Sequence, residues 1–427
     1  MESSHKLSLD TRVTLLDKNL NPINTYMLPQ EIEAPDDYID VLVREANGEI
    51  IQQEKFPFRS FTRNFMMVFD TAFSQVAPPL QTTRSSGVKY QMDTTNDNSL
   101  LSFQGGYGAF ALHDFGIQVG TGSTSITAGA TVPMNWRDWK LLWPVTHSTI
   151  GTIDTLNYGL HTSDYLATSG TLRKYSIRRI FTNNAAGTVT IRECGILSNQ
   201  RPSFDSFFVL MARDVFQYDG TPINIDVAQN KVLEVVYNFY VDTQQGWTDN
   251  FLLALGGVAL TGIVTNVPLV PLTGYITNTT FAALTSYGAV FAAKPAVGQY
   301  PSGIIVGSGD SIPTTSGSYH LQIPIPHGTG TDQLSYGASS YSNFTASQAS
   351  QSMQSAIIRR FTNNSGNTIS VKEAGLVIAG SGQAYVNSTN LLIARKLIGT
   401  VNVLAGQSLD IAFIFNVSTS LVLGPYN

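Results

Sequence analysis

The sequence predicts an all-β protein: two tandem sandwich or jelly-roll-like repeats, each with one short helix, behind an N-terminal β appendage. Three observations carry this reading. Only 13% of the 427 residues are charged, while Gly is frequent and aromatics make up 10%, a composition that favours short strands and turns over long helices. The stretch from Ile177 to Ile196, IRRIFTNNAAGTVTIRECGI, recurs from Ile357 to Leu376 as IIRRFTNNSGNTISVKEAGL. Phe181, Asn183, Glu193 and Gly195 match Phe361, Asn363, Glu373 and Gly375 at one offset of 180 positions. In both copies apolar and polar residues alternate on either side of an Asn-Asn turn, the period of a half-buried strand. A chain of this length exceeds one ordinary core, so the expected organisation is an appendage at 1–59, a first repeat at 60–244 and a second at 245–427.

Taken in order, Thr11 to Leu16 reads as a strand, Asn19 to Pro22 as a turn, and Tyr38 to Arg44 and Ile50 to Lys55 as two strands joined through Asn47-Gly48, a strong hairpin signal. Pro57 leads into the first repeat, and the appendage is expected to pack on that repeat or on a neighbouring subunit. The repeat opens with SFTRNFMMVFDTAF from Ser60, where Phe61, Phe65, Phe69 and Phe73 mark one stripe of a helix; GWTDNFLLALGGVAL from Gly246 is its counterpart. The uncharged run from Phe251 to Ala293 is too broken by Gly and by Pro268 and Pro271 to read as a membrane span.

GIQVGTG from Gly116 matches GIIVGSG from Gly303. No Lys-Ser or Lys-Thr follows either, so both read as a strand ending in a tight turn and not as a phosphate loop. His147 and His327 each follow a Pro without a second His at ligand spacing, which points to hydrogen-bonded structural roles. Then comes the duplicated stretch, read as a hairpin with Arg179 opposite Glu193 and Phe181 opposite Ile191 on an apolar face. LMAR from Leu210 and LIAR from Leu392 follow, and each repeat closes with an alternating strand, Leu233 to Phe239 and Leu409 to Phe415.

Several function classes are disfavoured. A net charge of -5 gives no broad basic surface for nucleic acid. One cysteine, Cys194, excludes an intrachain disulfide framework and cysteine-rich zinc sites, and MESSHKLSLDTRV lacks the apolar core of a secretory signal. No cofactor motif appears. The polar residues kept in both repeats are Arg179, Glu193 and Arg213 in the first and Arg359, Glu373 and Arg395 in the second. One carboxylate per repeat is not the pair that glycoside hydrolysis generally needs, so these groups read as structural pairs that fix strand register. Trp136, Trp139 and Trp143 read as core, subunit interface or a sugar platform.

SFTRNF, GIQVGTG, IRRIFTNNAAGTVTIRECGI and LMARD, taken together, resemble a pattern in structural proteins of tailed bacteriophages, here in tandem over nearly everything beyond the appendage. The second repeat departs with Asp249 for Arg63 and Lys396 for Asp214. The resemblance implies a noncatalytic virion component, made in the host cytoplasm, that assembles with copies of itself and with neck, tail or capsid proteins. The alternatives are a phage adhesin or carbohydrate-binding module that meets a host surface glycan, and a polysaccharide depolymerase using Glu193 or Glu373.

Overall fold

The computed structural model describes residues 6–17, 19, 21–28, 38–57, 64–65, 82–83, 85–90, 116–125, 138–167, 172–200, 207–218, 221–242, 248, 250, 267–269, 277–279, 297–298, 300–311, 319–347, 352–380 and 389–418. Almost all of these lie in strands or the turns between them, and the fold is all-β. Of the two expected helices, Asn64, Phe65 and Asn250 are helical, and the remainder lies outside the described residues.

The N-terminal stretch forms β1 (Lys6–Leu16), β2 (Pro22–Leu28), β3 (Tyr38–Arg44) and β4 (Ile50–Pro57), followed by the small pair β5 (Thr82–Thr83) and β6 (Lys89–Tyr90). The first repeat contributes β7 (Gly116–Gly120), β8 (Thr146–His147), β9 (Thr155–Ala167), β10 (Leu172–Thr182), β11 (Val189–Ile191), β12 (Glu193–Gln200) and β13 (Phe207–Val215). After them come β14 (Gln217–Tyr218), β15 (Thr221–Pro222), β16 (Ile225–Val227) and β17 (Val232–Asp242). β18 (Val267–Leu269) and β19 (Thr277–Thr279) pair with each other. The second repeat then gives β20 (Gly303–Gly307), β21 (Ser335–Ser347), β22 (Ser352–Thr362), β23 (Ile369–Gly380), β24 (Thr389–Val403) and β25 (Ser408–Ser418).

Each repeat region contains two facing sheets. In the first, a six-stranded sheet in the order β4-β3-β17-β10-β9-β8 lies against β13-β12-β7; in the second, β2-β1-β25-β22-β21 lies against β20-β23-β24. The inner faces supply Ile117, Phe181, Ile191, Leu233 and Tyr237 on one side of the chain and Ile304, Phe361, Val371, Leu409 and Phe413 on the other, all essentially inaccessible to water. Alternation along β11 and β16, buried at each end and open in the middle, is the sequence pattern made physical.

The N-terminal strands enter both repeat regions, in crossed order. β3 adds to β17, the last strand of the first region, whereas β1 adds to β25, the last strand of the second. The second region therefore draws its outer hairpin from the start of the chain, and the first region lies between these two pieces in sequence. The two hairpins close alike: Asp17 N donates to Asn21 O, and Glu45 N donates to Glu49 O.

The duplicated stretch is not a hairpin. β10 pairs with β9 and β17, while β11 pairs with β16 and β12 with β13 and β7, so the two halves of IRRIFTNNAAGTVTIRECGI lie in different sheets. Arg179 stands opposite Val235 and His161, and Glu193 opposite Val215 and Gly120; they do not face each other across a ladder. The Asn-rich turn is an arch that carries the chain from one sheet to the other. Its pin is Asn183, fully buried, whose amide donates to Gly187 O (2.8 Å) and Val227 O (2.7 Å) and whose carbonyl oxygen accepts from Ala185 N (2.8 Å). Asn363 repeats this with Asn367 O, Val403 O and Ser365 N. An arch and a two-residue hairpin begin with the same turn residues, and what separates them is the partner waiting across the core.

Candidate functional site

The residues that match between the repeats assemble into two clusters per region. The first surrounds the arginine of β10. Arg179 donates from Nε to Gly159 O (3.0 Å) and from Nη1 to Ile117 O (2.9 Å), which ties β9 and β10 to β7 in the facing sheet. Its guanidinium lies 4.7 Å from the centre of the Tyr158 ring, and that ring meets Phe181 edge-on at 4.7 Å. Tyr158 OH donates to Val145 O, and Tyr158 N donates to His147 Nδ1 at 3.0 Å. Arg359 copies the arrangement, donating to Gly337 O and Ile304 O and lying 4.8 Å over Tyr336, which meets Phe361 at 4.7 Å and donates from N to His327 Nδ1 at 3.0 Å. Burial pulls the Arg359 guanidinium down to about 10, which still leaves it charged near neutrality, and burial pushes the Tyr336 phenol up. Both histidines are thus acceptors that hold a strand, as their isolation in sequence implies.

The second cluster is a seat for a buried carboxylate. Glu193, with no exposed surface, accepts from Trp143 N (3.0 Å), Leu142 N (3.2 Å) and Gly122 N (3.2 Å), and from Arg213 Nε at 2.8 Å. Glu373 accepts from Ile323 N, Gln322 N and Gly309 N at 3.0, 3.2 and 3.2 Å, and from Arg395 Nε at 2.7 Å. The Gly pairs explain themselves here. A Cβ on Gly120 or Gly122 would come within 2.5 or 2.6 Å of Glu193 Oε1, and Gly307 and Gly309 stand in the same relation to Glu373. The GxxVGxG stretches are therefore cut to admit a carboxylate of the protein itself, which a reading of the glycines as a plain strand end missed.

The expected charge pairs divide accordingly. Glu193 with Arg213 and Glu373 with Arg395 are ion pairs at 2.7 Å, whereas Arg179 and Arg359 spend their donors on backbone carbonyls. Sequence reasoning missed Asp138, which meets Arg213 at 2.6 Å and accepts from Ser125 Oγ at 2.6 Å. Nothing in its own spacing announces it, because its partner lies 75 residues away.

Each seat fixes the backbone of a residue whose side chain faces water. Trp143 is 65% exposed and Ile323 is 53% exposed; their carbonyls accept from Thr121 N and Ser308 N, so both main chains are held on two sides. Of the other tryptophans, Trp139 lies beside Gly87 and under the Lys140 ammonium, 5.1 Å from its ring centre, and Trp136 lies outside the described residues. Cys194 is buried, its thiol pushed up by burial and accepting from Tyr237 OH at 3.0 Å.

Among the described residues no group of three or more His, Cys, Asp or Glu could hold a metal ion, and no helix is long and apolar enough to cross a membrane. No family model matches the chain, and no curated protein or solved structure matches it either.

Proposed function

We propose that the protein is a noncatalytic structural component of a tailed-phage particle, made in the host cytoplasm, that assembles with copies of itself and with other neck, tail or capsid proteins. The observation that supports this most is the saturation of the duplicated acids. Each Glu accepts from three backbone amides and one arginine in a site closed to water, with matching distances in both regions. A general acid or nucleophile must reach substrate and change protonation state, whereas these carboxylates are spent on holding backbone. The residues that carry the resemblance to phage structural proteins are this same framework: the Gly-spaced strand, the Asn arch, the Glu and the following Arg. Rigidly backed apolar side chains at Trp143 and Ile323 suit burial against another protein surface, where preorganised aromatic and aliphatic anchors contribute most.

The test is composition and position. Mass spectrometry and antibody labelling of purified particles should find the chain at a fixed copy number, and light scattering of the purified protein should show a closed oligomer. A monomer at high concentration, together with absence from particles, would overturn the reading.

The glycan-binding alternative uses the Trp136 to Trp143 region, in which Trp143 is exposed. The matching position holds Ile323, which has no aromatic face to stack on a sugar, so a role shared by both regions points to protein. Loss of glycan-array binding on Trp143→Ala would favour the adhesin reading. Retention of fold with loss of polysaccharide cleavage on Glu193→Gln would favour the depolymerase.

A further inference from the structure

The crossed attachment of the N-terminal hairpins has a consequence for how copies join. β1 lies along β25 through eleven register pairs, from Lys6 with Ser418 to Leu16 with Ser408, and Leu16 is buried. β25 contributes Leu409, Ile411, Phe413 and Phe415 to the core, so the edge that receives β1 is the rim of an apolar layer. Without β1 this rim would present a row of unpaired backbone groups, the surface that a strand from another chain recognises.

The segment from Leu28 to Tyr38 ties the hairpin to β3. Residues 29–37 read PQEIEAPDD, with Glu31, Glu33, Asp36, Asp37 and two prolines and no Lys or Arg. Like charges and proline favour extension, and ten Cα steps reach roughly 35 Å when extended. The first hairpin is the one whose acceptor edge is remote in sequence, at the far end of the chain from β1.

We propose that the β1–β2 hairpin is exchanged between copies, with β1 of one chain completing the β25 edge of a second copy. This rests on the self-assembling reading above only in requiring that copies meet. Every register pair seen within the chain is kept in the exchanged form, because the acceptor edge is identical in every copy, so exchange costs no contact and joins chains through a two-stranded addition to a sheet. Self-exchange of an identical element is a low-cost route to symmetric oligomers.

Ser8 and Asn416 are register partners, so they report the contact directly. Chains carrying Ser8→Cys and chains carrying Asn416→Cys, one of them tagged, are refolded together and treated with a short bis-maleimide. The native thiol does not compete, since Cys194 is buried. The expected result is a linked species of twice the chain mass that contains both variants. The double variant in one chain serves as the geometric control. If it links only internally and the mixture stays at single-chain mass, the exchange is overturned, and light scattering of the same samples decides whether the assembly reading stands without it. If the double variant links neither within nor between chains, β1 does not pair with β25 and the proposal falls with that pairing.

Discussion

The two repeat regions share a frame and differ in what fills it. Around Glu193 the arginine of β13 meets two acids, Glu193 and Asp138; around Glu373 the only carboxylate that Arg395 meets among the described residues is Glu373, and its Nη2 donates to Ser311 O. At the interior of the sandwich, Cys194 and Tyr237 stand where the second region has Ala374 and Phe413. His161 accepts from Ile117 N where the second region has Ser339, whose hydroxyl has no partner. Between β13 and β16 the first region inserts the small β14–β15 hairpin, and Phe216 at its base stacks on Phe56 of β4 at 4.6 Å; the second region runs through the same place as one strand, β24. The backbone bonds of Arg179, Asn183 and Glu193 are repeated by Arg359, Asn363 and Glu373, whereas the Cys194–Tyr237 contact and the bond from Ile117 N to His161 belong to the first region.

That contrast can be broken, most severely at the hairpins. Deleting residues 1–28 should open the distant second region and spare the nearer first one. Hydrogen exchange is expected to show lost protection along β25 and β22 while β17 and β10 stay protected; equal loss in both would remove the crossed attachment as a feature of the fold in solution.

Next in size is the carboxylate seat. Glu373→Gln leaves Arg395 buried without an acid and should cost about 3–5 kcal/mol. Glu193→Gln leaves Arg213 beside Asp138 and should cost about half as much, given that a paired charge remains. Urea titration of the two variants measures the difference, and equal losses would mean that Asp138 does not share the load.

Asn183→Ala and Asn363→Ala each strand one buried carbonyl, that of Val227 or Val403, and one amide in an arch, and remove a bond to the carbonyl of an exposed residue. The expected loss is about 2–3 kcal/mol for each, and the two should nearly agree, the one difference between the pins being the further bond that Asn363 accepts from Ser365 Oγ. A marked inequality would show that the arches are less alike than their hydrogen bonds.

Smallest is a difference in acid response. Burial and then the Arg179 cation hold the His161 imidazole well below its ordinary value of 6.5. Because the unfolded chain takes up this proton first as the pH falls, the contribution of His161 to stability is level above about pH 6.5 and declines below it. His161→Ser, which installs the residue of the second region, should flatten the acid limb of a stability profile between that pH and the lowered folded-state value. An unchanged slope would mean that His161 does not carry the linkage.

Much of the framework was legible in one chain because it occurs twice. The constant offset singled out Arg179, Asn183, Glu193 and their copies; alternation placed the arginines and glutamates facing the core, where the structure finds them, and left the asparagines as turn residues, although Asn183 and Asn363 are buried. The pairing was legible only in part. Arg213 was correctly grouped with Glu193, but Arg179 was set against Glu193 when its donors go to Gly159 and Ile117. Asp138 was invisible, since no second copy marks it. The two N-terminal hairpins carried a signal that passed unread: LLDKNLNPI and LVREANGEI each place an Asn two positions after an acid, and the two loops close with the same bond.

By itself the sequence determined the strands, the face each turns inward and the side chains that must be satisfied there, because burial and alternation are properties of a few neighbouring residues. Only the tertiary structure decided which strands meet. An Asn-Asn turn permits both a hairpin and an arch, and the free strand edges of β17 and β25 would each accept a hairpin of the same shape. The choice is made by closure of the whole core: Asn183 finds Val227 O across the sandwich, and β1 finds β25 at the far end of the chain.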